Sequence, residues 1–181
     1  DMEYPDRASV PIERFLQPRV EAEIAFVLGD DLVDGPLDSR QIRRAVAYAS
    51  AALEICDSRI LDWDISLADT VADNASAGAY VLGSTRLLLS EFAPAQATMT
   101  LTVDGSEAST GTGAACLGDP LNALMWLAAA AREFDSPLLA GQVVLSGALG
   151  PMVPVTGGSQ VTATISDLGT VNVSFISDPR S

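Results

Sequence analysis

The 181-residue chain has no histidine, and all ten of its basic residues are arginine, so it has no lysine either. Without histidine there is no Ser-His-Asp triad, no Cys-His pair, no histidine general base and no His-based zinc site. A resident metal is then expected to be held by oxygen, which suits Mg²⁺, Mn²⁺ or Ca²⁺. Cysteine is scarce as well. Cys56 and Cys116 stand far apart with no C-x-x-C spacing, too few for a disulfide framework, and their apolar neighbours mark both as reduced core residues. Positive charge is in short supply: the formal net charge is −14 and the pI is about 4.1. That argues against nucleic acid or an anionic membrane surface as partner, since both require a basic face. A small anionic substrate remains compatible if a metal ion holds it. The sequence shows no signal-peptide pattern and no apolar run of membrane-spanning length, so a cytoplasmic protein is expected.

Apolar residues make up 48% of the chain and charged residues 19%, which is a globular composition. There is no internal repeat, low-complexity tract or linker, so one domain over residues 1–181 is the simplest organisation. Asp38 or Ser39 is placed to cap a helix running to about Ala52, with Ile42, Ala45, Val46 and Ala49 as its apolar stripe. Asp119 caps a second helix, with Pro120 at its first position, ending near Phe134. Strands are expected at "PRVEAEIAFVLG", "ALEICDSRI", "AYVLGS", "GQVVLSG", "QVTATISD" and "TVNVSFIS". "ATMTLTVDGSEAS" reads as a hairpin turning at Asp104-Gly105. Residues 61–80 read as a long polar loop. Helices and strands do not alternate regularly, which disfavours a doubly wound parallel sheet. The expected fold is α+β and β-rich, with mixed or rolled sheets and two main helices. "STGTGAACLG" lacks the Gly-Lys-Ser/Thr of a phosphate-binding loop.

The strand "PRVEAEIAFVLG" carries an anomaly. Successive side chains alternate between faces, so Val20, Ala22, Ile24, Phe26 and Leu28 form one apolar row while Glu21 and Glu23 emerge side by side on the other. Two like charges repel, and burying them is costly unless they are neutralised. Two readings fit: a solvated acidic edge strand, with Arg19 on the same face, or a divalent cation held by two carboxylates at i, i+2 and completed by a third acid. "AALEICDSRI" offers Glu54 and Asp57 as that acid. Their offset of three puts them on opposite faces, so only one is expected to join.

The segments "QPRVEAEIAFVL", "ALEICDSRI.DW", "DTVADNASAGAYVLG", "CLGDPLNALMWLA" and "VVLSGALGPMVPV" resemble the fumarylacetoacetate hydrolase superfamily. Within it they are most similar to the 2-hydroxypenta-2,4-dienoate hydratase (2-keto-4-pentenoate hydratase) and 4-oxalocrotonate decarboxylase branch, leaning toward the hydratase. The resemblance runs from about Asp1 to Phe175. It implies metal carboxylates at Glu21, Glu23 and Glu54 for Mg²⁺ or Mn²⁺, with Asp57 as a supporting residue or substitute ligand. It implies substrate contacts from Asn74, Ser76, Ser146 and Gly147, and Asp73 as a group ordering a catalytic proton. The implied reaction is hydration of a 2-hydroxy-2,4-dienoate; the alternatives are the sister decarboxylation and a non-catalytic metal-binding partner subunit. The implied assembly is a homo-oligomer, or a complex with the sister decarboxylase. Family members also carry an N-terminal segment with a lysine in a G-x-K-x-G-like motif, the proposed acid/base. No lysine here matches it, so that segment is expected either to lie outside this sequence or to be missing from the product, in which case metal binding outlasts catalysis.

Overall fold

Strand pairing dominates the computed structural model, which describes residues 2–177. The strands are β1 (Glu3–Pro5), β2 (Ala8–Pro11), β3 (Pro18–Leu28), β4 (Val46–Asp57), β5 (Ala77–Leu82), β6 (Thr98–Val103), β7 (Ser106–Thr112), β8 (Val143–Leu145), β9 (Val153–Pro154), β10 (Gln160–Ile165) and β11 (Gly169–Ile176). The helices are α1 (Ser39–Ala45), α2 (Leu67–Ala72) and α3 (Pro120–Glu133). One sheet runs β1-β5-β4-β3-β8, with β9 also paired to β3; the other runs β2-β11-β10-β6-β7. The β1/β5 and β2/β11 pairs are parallel and the remaining pairs antiparallel, so both sheets are mixed.

The core lies between the sheets. Val20, Ala22, Ile24 and Phe26 of β3 and Ala51, Leu53 and Ile55 of β4 are fully buried. They belong to one apolar cluster with Val161, Ala163 and Ile165 of β10 and Val171, Val173 and Phe175 of β11. Alternation in β11 leaves Thr170, Asn172 and Ser174 on the other face, as the sequence indicates. The hairpin turns at Asp104 and Gly105, both with positive φ (53° and 78°), the geometry a tight two-residue connection needs. In the Gly-rich stretch after it the glycines serve close packing. A Cβ on Gly111 would lie 1.8 Å from the Leu149 carbonyl oxygen, and one on Gly113 would lie 1.8 Å from that of Pro94. The Asp119 side chain accepts from the Leu121 N–H and caps α3 as expected.

The first helix is shorter than its apolar stripe suggests. Asp38 caps it, but it ends at Ala45, and Val46–Asp57 continue as a twelve-residue strand. Alanine favours helix, yet propensity is a weak prior. Pairing with β3 along the whole strand buries residues 49–53, and small side chains suit a strand covered on both faces. Residues 61–80 also hold more order than a loop: α2 with a Ser66–Asp69 capping box, and short 3₁₀ turns at Leu61–Trp63 and Asn74–Ser76.

Because β4 follows β3 in antiparallel register, Asp57 ends opposite Pro18. Its buried carboxylate accepts from the Leu16 N–H (2.9 Å) and the Gln17 N–H (2.7 Å) and so fixes the entry to β3. This makes Asp57 a structural acceptor. Asp57→Ala leaves two backbone donors unsatisfied and is expected to lower stability by about 2–4 kcal/mol in urea unfolding, with Mn²⁺ uptake retained; loss of Mn²⁺ binding in a folded variant would make Asp57 a ligand instead.

Candidate metal centre

β3 lies inside its sheet, paired to β4 on one side and to β8 and β9 on the other, so its acids do not line a solvated edge. The register sets Glu21 directly opposite Glu54, with Glu23 opposite Ala52 and Arg19 opposite Cys56. Residues opposite one another share a face. Glu23, the Glu21/Glu54 pair and Cys56 therefore form a row of donors on the face turned away from the core. Glu23 is 1% exposed and Glu21 9%. Arg19, the arginine on this face, stacks over the Trp63 ring, 4.5 Å from its centroid. Among the described residues no arginine pairs with any of the three glutamates; the ion pairs are Arg7–Asp6 and Arg59–Asp73.

Three uncompensated carboxyls in one place shift one another. Burial, then the charge of Glu54, push Glu23 well above the usual carboxylate range. Burial raises Glu54, and burial followed by Glu54 raises Glu21. The Glu23 and Glu54 carboxyls lie close enough for each to shift the titration of the other. The Gly147 N–H donates to Glu23 Oε2 at 2.6 Å and holds that oxygen in place. Gly147 has φ 102°, and a Cβ there would meet Cys116 Sγ at 3.3 Å, so glycine suits this close approach. Such a donor set fits a divalent cation: oxygen-rich, anionic, on rigid strands and, among the described residues, without a counter-charge.

The glutamates floor a cavity of about 320 Å³ walled by Trp63, Ile65, Thr70, Ala75, Ser76, Leu145, Gly147 and Met152. Of the residues the sequence singles out, Glu21, Glu23, Glu54, Ser76 and Gly147 meet there. Asn74 is exposed and does not line it. The Ser146 hydroxyl is turned to backbone, accepting from the Ile24 N–H at 3.3 Å and donating to the Gly147 carbonyl at 3.2 Å. Asp73 stands behind the wall, paired to Arg59 at 3.3 Å and accepting from the Ser76 hydroxyl at 2.9 Å. It reaches the cavity through Ser76. Asn74, Ala75 and Ser76 all have positive φ (54°, 55°, 56°), a left-handed turn that costs non-glycine residues about 1–2 kcal/mol each. The Asp73 bonds stabilise it.

Sequence reasoning missed Cys56. Expected in the core, it lines the cavity beside Glu21 and Glu54. The signal was available: Cys56 is two residues from Glu54 and so shares its face. Trp63 and Ile65, in the supposed loop, were missed for want of any local pattern.

The chain matches the model of the fumarylacetoacetate (FAA) hydrolase C-terminal family over residues 4–176 and belongs to that family. It is 50% identical over 175 residues to the TodF product hydratase of Pseudomonas putida, covering 97% of this chain and 65% of that one. It is 50% identical over 174 residues to a 2-keto-4-pentenoate hydratase of Paraburkholderia phymatum, covering 96% and 66%. A solved structure of 4-oxalocrotonate decarboxylase from Pseudomonas putida G7, complexed with magnesium and adipate, superposes with a TM-score of 0.92 at 28% identity, covering 97% of this chain and 66% of that one. The chain thus spans just under two thirds of the length of these relatives.

The raised Glu23 carboxyl sets the pH response of the cation-free protein. Folded Glu23 keeps a proton that the unfolded chain loses above the ordinary glutamate pKa of about 4.3. The folded state then binds more protons, so this contribution to stability is present at low pH and is lost as pH rises. Glu23→Gln removes it. In chelator the variant's stability relative to wild type is expected to rise as pH increases between about pH 5 and pH 8 in urea unfolding; a gap independent of pH would contradict the burial of an unpaired Glu23 carboxyl.

Proposed function

We propose that this chain supplies the metal-binding catalytic part of a hydro-lyase that adds water to 2-hydroxypenta-2,4-dienoate (2-keto-4-pentenoate), giving 4-hydroxy-2-oxopentanoate in the catabolism of aromatic compounds by ring meta-cleavage. The observation that carries this reading is the meeting of Glu21, Glu23 and Glu54 on one buried face with no paired arginine among the described residues. The identity near 50% to proteins named as hydratases supports the reaction class.

Mg²⁺ or Mn²⁺ fits the three carboxylates; when bound it would polarise the substrate's carboxylate and 2-oxygen and offset the enolate-like charge that develops as the dienol isomerises. The glutamates fix that position. Ionising all three works against the burial that raises the Glu23 carboxyl, so loading is coupled to proton release. Gly147, through its N–H, orients Glu23 Oε2. Trp63, Ile65, Leu145 and Met152 give an apolar wall that suits the diene tail and limits water. The Ser76 hydroxyl, hydrogen-bonded to Asp73, offers a route for a proton between the cavity and a carboxylate. Asn74 and Ser146 act on the substrate through the turn and the strand end they build, and Asp57 supports β3 from beneath.

Two other readings have support. The superposition on 4-oxalocrotonate decarboxylase at a TM-score of 0.92 favours loss of CO₂ in a similar site, though identity to that protein is 28%. The carboxylate row by itself would equally serve a non-catalytic metal-binding partner subunit. In each case we take the partner to be a small 2-oxo acid, with no nucleic acid or membrane, the setting to be the cytoplasm, and the assembly to be a homo-oligomer or a complex with the sister decarboxylase.

The full-length protein with 2-hydroxypenta-2,4-dienoate tests this. Loss of the dienoate ultraviolet band should stop after chelation, return with Mg²⁺ or Mn²⁺, and fall at least about 100-fold in Glu23→Gln. Metal-bound protein that leaves the dienoate untouched, but releases CO₂ from 4-oxalocrotonate, would replace the hydratase by the decarboxylase.

A further inference from the structure

The row of donors does not stop at the glutamates. Ligand atoms of Glu21, Glu54 and Cys56 all lie within 4.8 Å of one another. The Cys56 thiol lines the same cavity as the glutamates. Glu23 occupies the opposite end of the row, two residues along β3 from Glu21 and in contact with Glu54.

We propose that Cys56 gives this centre a second, overlapping cation position, in which Glu21, Glu54 and Cys56 bind borderline and soft divalent ions such as Zn²⁺, Co²⁺ and Cd²⁺. The inference rests on the cation reading above and concerns which ions the centre accepts. Reach permits it: metal–sulfur bonds of about 2.3 Å and metal–carboxylate bonds of about 2.0–2.2 Å let one ion bridge donors up to about 4.5 Å apart. A contraction of a few tenths of an ångström closes the set. Chemistry favours it: sulfur draws Zn²⁺ and its neighbours, while carboxylate and water suit Mg²⁺ and Mn²⁺. On coordination the sulfur–metal bond forms and the thiol proton leaves to solvent. Glu21 and Glu54 belong to both positions, so the two classes of ion exclude one another. Cys116 is not a donor here; its Sγ is engaged with the Ser146 carbonyl at 2.7 Å.

Co²⁺ added to the chelator-stripped protein reports the sulfur directly. A sulfur-to-cobalt charge-transfer band should grow in the near ultraviolet to one equivalent. It should vanish in both Cys56→Ser and Cys56→Ala and persist in Cys116→Ser. By Mn²⁺ paramagnetic resonance, the Cys56 variants should still take up Mn²⁺, while Zn²⁺ should displace it about 10–100-fold less effectively than from wild type. Co²⁺ that displaces Mn²⁺ without producing the band, or a band that survives both Cys56 variants, would overturn the inference and leave the carboxylate site standing. If wild type binds neither Mn²⁺ nor Co²⁺, the cation reading itself fails and this one falls with it.

Discussion

The register between β3 and β4 is the constraint on which the rest depends. It sets Glu21 against Glu54, aligns Glu23 and Cys56 on either side of that pair, and in the same stroke turns Val20, Ala22, Ile24 and Phe26 into the core. A slip by one residue would send the carboxylates into the space between the sheets and the apolar row into the cavity. The hydrophobic core and the anionic site are therefore two faces of one decision. Burial on the core side stabilises a polar face that, without a cation, works against folding through three mutually repelling carboxyls.

The remaining elements hold that face and wall it. Asp57 fastens the approach to β3. β8 places Leu145 and Gly147 beside Glu23. The segment between β4 and β5 covers the site with Trp63, Ile65 and a left-handed turn that Asp73 and Arg59 hold together. Backbone conformations of this kind persist where surrounding contacts over-determine them, and they cluster at functional sites. The proposed chemistry asks for a rigid anionic floor and an adaptable, partly apolar wall, and the strands and the connecting segment divide those duties.

What could be read from the sequence followed how local its signal was. Alternation along β3 exposes the Glu21/Glu23 pair to inspection, because period two belongs to the strand alone. Glu54 is different: its arrival opposite Glu21 is a pairing register, which no short stretch specifies, and it came from family resemblance. Val46 to Ala52 misled because alanine suits a helix, and only the pairing with β3 along its length makes a strand of it. The left-handed turn at Ala75 carries no glycine to announce it. Cys56 was overlooked for a different reason, since the parity argument applied to β3 extends to β4 and places it beside Glu54.

The central claim is that Glu21, Glu23 and Glu54 hold one divalent cation. Anomalous scattering from a crystal of the protein grown with Mn²⁺ tests it most directly. The account predicts a single strong peak at bonding distance from oxygens of all three glutamates, with Gly147 still donating to Glu23. A peak elsewhere, or none in crystals grown with Mn²⁺, would contradict it.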